Sequence, residues 1–229
     1  MKTNIKNEEL TLVAEKAIFW EKEKIMIISD LHIGKVTHFR KAGIPIPTQL
    51  IDDNLQRLNE LLKYFNPEKV IITGDLFHSN SNSEHEIFAE WLLNWDRIEW
   101  ILVKGNHDII NEQWLLNKGF TIHKHALFKQ PFVFVHDTQT MQELAIPQME
   151  EIPYVLAGHV HPGYIVKGPG KQTMRFPCFY FGKEAGLLPS FGSFTGMAAV
   201  KKKKGDQIFV ILPNNPKQIM AIEQKREPL

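Results

Sequence analysis

The sequence predicts one α/β domain, βαβ-like in its first half and strand-rich in its last third. Three observations predict it. Short continuous apolar runs recur along the chain, as expected of strands covered on both faces. Segments with apolar residues at helical spacing separate the early runs, and the last third turns β-rich. No internal repeat or flexible linker divides the 229 residues, so a single domain over 1–229 is expected.

In order, Leu10–Val13 and Ala17–Trp20 read as a hairpin, and Ile25–Ser29 as a buried strand. Past Pro45 and Pro47, Thr48 caps a helix to about Phe65, with Leu50, Ile51, Leu55, Leu58, Leu61, Leu62 and Phe65 in register. Val70–Thr73 is the second buried strand. Ser83-x-x-Glu86 reads as a capping box opening a helix with Ile87, Phe88, Trp91, Leu92 and Trp95 on one side. Strands follow at Trp100–Val103, Phe132–Val135 and Tyr154–Ala157, then at Gly163–Lys167, Met174–Phe181, Met197–Val200 and Gln207–Leu212.

Composition narrows the function. At 43% hydrophobic and 10% aromatic the chain can bury a sizeable core, which excludes general disorder. Lys+Arg 27 against Asp+Glu 26 gives +1, so any phosphate must be held by a local patch or by metal. The N-terminal stretch is polar, without the apolar core of a signal peptide, and no apolar run approaches the ~20 residues of a membrane span. A soluble, cytoplasmic chain is expected. One cysteine, Cys178, excludes a disulfide framework and a Cys-rich zinc site, and its aromatic strand context makes it core. Ten histidines beside it lean toward chemistry at oxygen and nitrogen ligands.

Metal-capable residues follow each of the five buried strands, at the edge where open α/β sheets bind ligands. They are Ser29-Asp30-Leu31-His32, Gly74-Asp75, Gly105-Asn106-His107-Asp108, His136-Asp137 and Gly158-His159-Val160-His161. Taken singly, each has a bland reading: Asp30 or Asp75 as a turn or cap, Asn106 as a turn residue, His136 as a satisfied polar group. His159 and His161 would face opposite ways on a regular strand, and converge only if a turn starts at Gly158. Five coincidences in one order carry the signal. From Asp30 to His161 the series resembles the calcineurin-like metallophosphoesterase superfamily, which implies a sandwich of two mixed β-sheets flanked by α-helices.

Phosphate-ester hydrolysis needs a hydroxide nucleophile at neutral pH and positive charge on the phosphoryl oxygens. Two divalent metals about 3.5–4 Å apart supply both, and a bridging carboxylate is required, for which Asp75 is the natural candidate. The resemblance implies one site from Asp30, His32, Asp75 and His161, and another from Asp75, Asn106, His136 and His159. Carboxylate, imidazole and amide without thiolate suit Mn²⁺, Fe or Zn²⁺ better than Ca²⁺. His107 looks like the family's catalytic histidine, protonating the leaving oxygen, with Asp108 orienting it.

The flanking sequence is similar to one branch, the ligase-associated DNA damage response endonucleases. The carrying segments are Asp30–Lys35, His38-Phe39-Arg40, Gly43-Ile44-Pro45, Pro47, Gly74–Ser79 and Leu188–Gly196, although Met197 stands where a second glycine is expected. That implies a Mn²⁺-dependent phosphodiesterase acting on DNA alongside a DNA ligase, a helicase and an exonuclease. Lys35 and Arg40, in a cationic stretch with His38 and Lys41, are candidate phosphate contacts, with a solvated loop as the alternative for Arg40 and Lys41. His78 touches phosphate, supports His107 or is simply a helix-entry residue. Lys201–Lys204 reads as a solvated hairpin or a phosphate-tracking patch, and His85, His123 and His125 as surface or packing residues. The rival functions are a phosphatase or pyrophosphatase acting on a small metabolite or lipid precursor, and a catalytically silent binding scaffold.

Overall fold

The structure is a computed structural model that describes residues 1–35, 49–78, 82–143, 152–168, 170, 172–193, 195–212 and 219–222. The predicted cap Thr48, together with His38, Arg40 and Lys41, lies outside them.

Seven strands form the first sheet, in sequence order: β1 (Lys2–Ile5), β2 (Glu8–Val13), β3 (Ala17–Trp20), β4 (Ile25–Ile28), β5 (Lys69–Thr73), β6 (Glu99–Val103) and β7 (Phe120–His123). Pairing is antiparallel from β1 to β4 and parallel from β4 to β7, with Met26 opposite Val70 and Val70 opposite Trp100. The second sheet is also mixed. It contains β8 (Ala126–Lys129), β9 (Phe132–Val135), β10 (Tyr154–Ala157), β11 (Pro162–Lys167), β12 (Thr173–Phe181), β13 (Ala185–Leu187) and β14 (Ala198–Val200), ordered β14-β11-β12-β13-β10-β9-β8. β15 (Gln207–Ile211) pairs with β12, and β16 (Ile219–Ala221) with β15. The helices are α1 (Gln49–Phe65), α2 (Asn82–Leu92), α3 (Glu112–Asn117) and α4 (Thr140–Glu143).

Residue parity decides which layer each strand residue joins. Met26, Ile28, Val70, Ile72, Trp100 and Leu102 pack against Leu55, Leu58 and Leu62 of α1 and Phe88 of α2. Their neighbours Ile25, Ile27, Ile71, Ile101 and Val103 meet Phe132, Phe134, Leu156, Phe179 and Phe209 of the second sheet. The middle layer thus lies between the two sheets. Cys178 is buried with Ile208 and Val210, as its context predicts.

Some elements depart from the sequence expectation. α2 includes Asn82, so Ser83 lies inside the helix rather than before it as its cap. Ile87 is exposed, off the buried line of Phe88, Leu92 and Trp95. β1, β7, β8, β13, β16, α3 and α4 were not predicted. The strands among them are three or four residues long and α3 and α4 six and four, too short to show a period.

Candidate metal centre

The site is built where the C-terminal ends of β4, β5 and β6 meet those of β9 and β10. The backbone leaves its ordinary regions there. Asp30, His32, Asp75, His159 and His161 all have positive φ, between 47° and 60°. That conformation is uncommon for non-glycine residues, and sparsely populated backbone states cost about 1–3 kcal/mol each. Two left-handed residues at His159 and His161 also answer the facing problem, since they break the strand alternation after Ala157. Gly158 permits this turn: a Cβ there would collide with Ser29 Oγ and Asp30 Oδ2.

Asp30 is the hub. It is fully buried, accepts the Ser29 hydroxyl, and takes the His159 backbone N–H at 3.1 Å on Oδ2. Burial pushes its carboxyl up, yet the His161 imidazole, helped by His136 and Ser29, holds it below the ordinary carboxylate value. Asp75 presents one oxygen to each side: Oδ2 is 3.8 Å from His32 Nε2, and Oδ1 is 3.6 Å from His136 Nε2.

The tautomers of His136 and His161 follow from their partners. His136 Nδ1 lies 3.2 Å from the Thr73 carbonyl and donates to it, which leaves Nε2 as an acceptor. That acceptor faces Asp75 Oδ1 and, at 3.0 Å, His159 Nδ1. His159 Nδ1 makes that 3.0 Å contact as a hydrogen bond whose direction depends on the His159 tautomer, and its Nε2 stands 3.7 Å from Asp137 Oδ2. His161 Nδ1 donates to the Gly196 carbonyl at 3.1 Å, turning Nε2 toward Asp30 Oδ1 at 3.1 Å. Both ring nitrogens of buried His32 lack a hydrogen-bond partner among the described residues. Acceptors that face acceptors in a buried site require a proton or a metal ion between them. The donor set therefore fits a cation on each side.

Two groups stand close enough to share an ion: Asp30, His32 and His161, and Asp30, Asp75 and His136. Asp30 is common to both, whereas the sequence assigns the shared position to Asp75. With His136 Nδ1 committed to Thr73, its Nε2 faces Asp75, so Asp75 still spans the two halves through its two oxygens.

His107 and Asn106 are exposed in the turn after β6. The His107 backbone N–H donates to Asp75 Oδ1 at 2.9 Å, docking this turn on the site. Its ring centroid is 5.8 Å from that of His32 and 5.1 Å from that of His78, so His78 stands beside His107. Asp108 does not take the orienting role expected of it through its side chain. Its carboxylate accepts the backbone N–H groups of Gly105 at 2.8 Å and Phe77 at 3.2 Å, tying the His107 turn to the segment after β5. Burial pushes Asp108 up to about 6 against those two bonds. Lys35 is half-buried near Asp30 and Asp75; burial lowers its ammonium while both carboxylates oppose the shift. Burial, with Lys35 next, pushes His32 down to about 3.

Sequence reasoning quoted Ser29, Thr73 and Asp137 at the strand ends but gave none of them a role. Each sits next to a named residue, and a hydroxyl, carbonyl or carboxylate in that place is the outer support that ligating groups need. The Lys201–Lys204 run leads into β15, with Lys202 donating to the Ile222 carbonyl and Asp206 accepting the Lys203 N–H. His85 packs its ring 4.4 Å from Phe77.

Two packed mixed sheets with an oxygen–nitrogen donor cluster at their strand ends define a metallophosphoesterase-type fold. More particularly, residues 23–163, over half the chain, match the calcineurin-like phosphoesterase model, and the chain belongs to that family. The Pseudomonas putida nuclease MPE is similar in structure, with a TM-score of 0.77 at 24% identity over 97% of this chain and 99% of that one. Yfce, a phosphoesterase from E. coli, gives a TM-score of 0.46 at 15% identity over 86% of this chain and 97% of that one. No curated protein matches the chain. No helix among the described residues is long and apolar enough to cross a membrane.

Proposed function

We propose that the protein hydrolyses phosphodiester bonds in DNA, using two divalent metal ions, Mn²⁺ by preference. The observation that carries the reading is the convergence of acceptor nitrogens on two buried carboxylates at one sheet edge. Asp30, His32, Asp75 and His161 would hold one ion, and Asp75, His136, His159 and Asn106 the other. When bound, such ions activate water and withdraw charge from the phosphoryl oxygens.

The chain's own residues do the rest. Thr73 and Gly196 carbonyls and the Asp137 carboxylate orient the imidazoles. The Lys35 ammonium adds positive charge beside the carboxylates, where a phosphate oxygen would lie. His107, exposed on a turn anchored to Asp75, presents its imidazole to donate a proton to the leaving oxygen. DNA as the substrate rests on the sequence resemblance to the ligase-associated branch. The similar Pseudomonas putida protein is described as a nuclease. The same resemblance supports work beside a DNA ligase, a helicase and an exonuclease.

The test is incubation with Mn²⁺ and supercoiled or single-stranded DNA, beside a panel of phosphomonoesters and pyrophosphate. Nicking or degradation that chelator abolishes is expected. Turnover of a small phosphomonoester with every DNA left intact would replace the nuclease reading with a phosphatase one.

A further inference from the structure

We infer that the Ser190–Ser193 loop is a clamp on the backbone of Asp30, fastened from the far side by Arg57 of α1, and that this clamp sets metal affinity. It rests on the reading of Asp30 as a metal ligand.

The loop grips the chain at β4's end with three bonds. Phe191 N–H donates to the Ser29 carbonyl at 2.7 Å, Gly192 N–H to the Asp30 carbonyl at 2.9 Å, and Ser190 Oγ to that same carbonyl at 2.9 Å. The approach is close enough to demand glycine. A Cβ on Gly192 would stand 2.6 Å from the Leu31 carbonyl oxygen and 3.0 Å from that of Asp30. On the other side, Asp30 N–H donates to the Gly74 carbonyl at 3.1 Å. Asp30 is thus gripped fore and aft in a left-handed conformation that it would leave if released.

Arg57 holds the loop in turn. Its guanidinium stacks on the Phe191 ring, Cζ 4.3 Å from the centroid, and donates to the Phe191 carbonyl. The same terminal nitrogen donates to Asn54 Oδ1 at 3.2 Å, which also accepts the Ser193 hydroxyl at 3.0 Å. Burial pushes Arg57 down to about 10, so it remains charged at neutral pH. A planar cation that stacks and donates at once cannot be replaced by lysine. Supports of this kind change metal affinity or activity by about 10–100-fold when removed.

Arg57→Lys and Ser190→Ala are therefore positioning variants, with Leu115→Ala as a control, because Leu115 is buried in the helix-side core. Three readouts are made on each: melting temperature, amide exchange of metal-free peptides covering residues 25–35 and 188–193, and Co²⁺ titration followed by its visible absorption. Both clamp variants should exchange faster in those two segments, bind Co²⁺ about 10-fold or more weakly, and shift the cobalt band. Leu115→Ala should melt lower with unchanged Co²⁺ affinity and band. Lowered stability in the clamp variants with wild-type exchange, affinity and band would overturn the inference. If Arg57→Lys does not fold, Ser190→Ala, which deletes a single hydroxyl, decides. A wild type that binds no Co²⁺ would sink the metal reading of Asp30 and, with it, the affinity claim, while the exchange result still decides the clamp.

Discussion

The two ends of the same parallel strands are built on opposite terms. Where β4, β5 and β6 begin, Lys24 pairs with Glu68 at 2.6 Å and Lys69 with Glu99, all on exposed side chains. Where they end, Asp30, His32, Asp75 and Asp108 are buried, and both His32 ring nitrogens go without hydrogen bonds among the described residues. Of the ten non-glycine residues with positive φ among the described residues, five are candidate ligands at this end. The beginning is an ordinary solvated edge. The other end stores strain and unpaired polarity, which a fold keeps only where the surroundings over-determine it, as at functional sites.

The largest effect that could break this contrast is at His107. His107→Ala should keep metal content and fold while lowering turnover on DNA by about 10²–10⁴-fold, as loss of a proton donor does. The loss should be smaller on an activated aryl phosphodiester, whose leaving group needs little protonation. Equal losses on both substrates would leave His107 as a charge stabiliser only, and loss of the metals would make it a ligand.

A middle-sized effect concerns acid. His32, ordinarily near 6.5, is pushed down to about 3 by burial. Unfolding returns it to 6.5, so the unfolded chain takes up that proton first. The stability of metal-free protein is therefore full above about pH 6.5 and declines as pH falls toward about 3. Asp30, held below its ordinary value, acts the same way at lower pH. Asp108, raised from 3.8 to about 6, acts oppositely between those values, a narrower window than that of His32. Melting in chelator should be lower at about pH 4 than at about pH 7.5. A higher melting temperature in acid would remove the buried-neutral account of His32.

At the solvated end the effect should be smallest. Lys69→Ala breaks an exposed pair with Glu99 and should cost about 0–1 kcal/mol, with activity unchanged. A loss of turnover there would erase the distinction between the two ends.

What the sequence made legible follows this same division. The central strands were readable because burial on both faces writes them as uninterrupted apolar runs such as Ile25-Met26-Ile27-Ile28. The edge strand β1 was not, since it buries only Ile5 of its four residues and carries no pattern to see. The donor residues stood out as types following each strand. Their geometry did not, because left-handed φ at an Asp or His leaves no local signature. Asp108 shows the limit: next to His107 in sequence, it spends its carboxylate on the backbone of Gly105 and Phe77 instead. Arg57 and Ser190 act from 27 and 160 residues away from Asp30, beyond any spacing rule.

The most direct test of the metal account is manganese stoichiometry on the full chain, read by elemental analysis and by anomalous scattering from crystals of the loaded protein. Two ions per chain are predicted, one beside His32 and His161 and one beside His136 and His159, with Asp75 facing both. A single ion, or none with the wild-type fold intact, would contradict it.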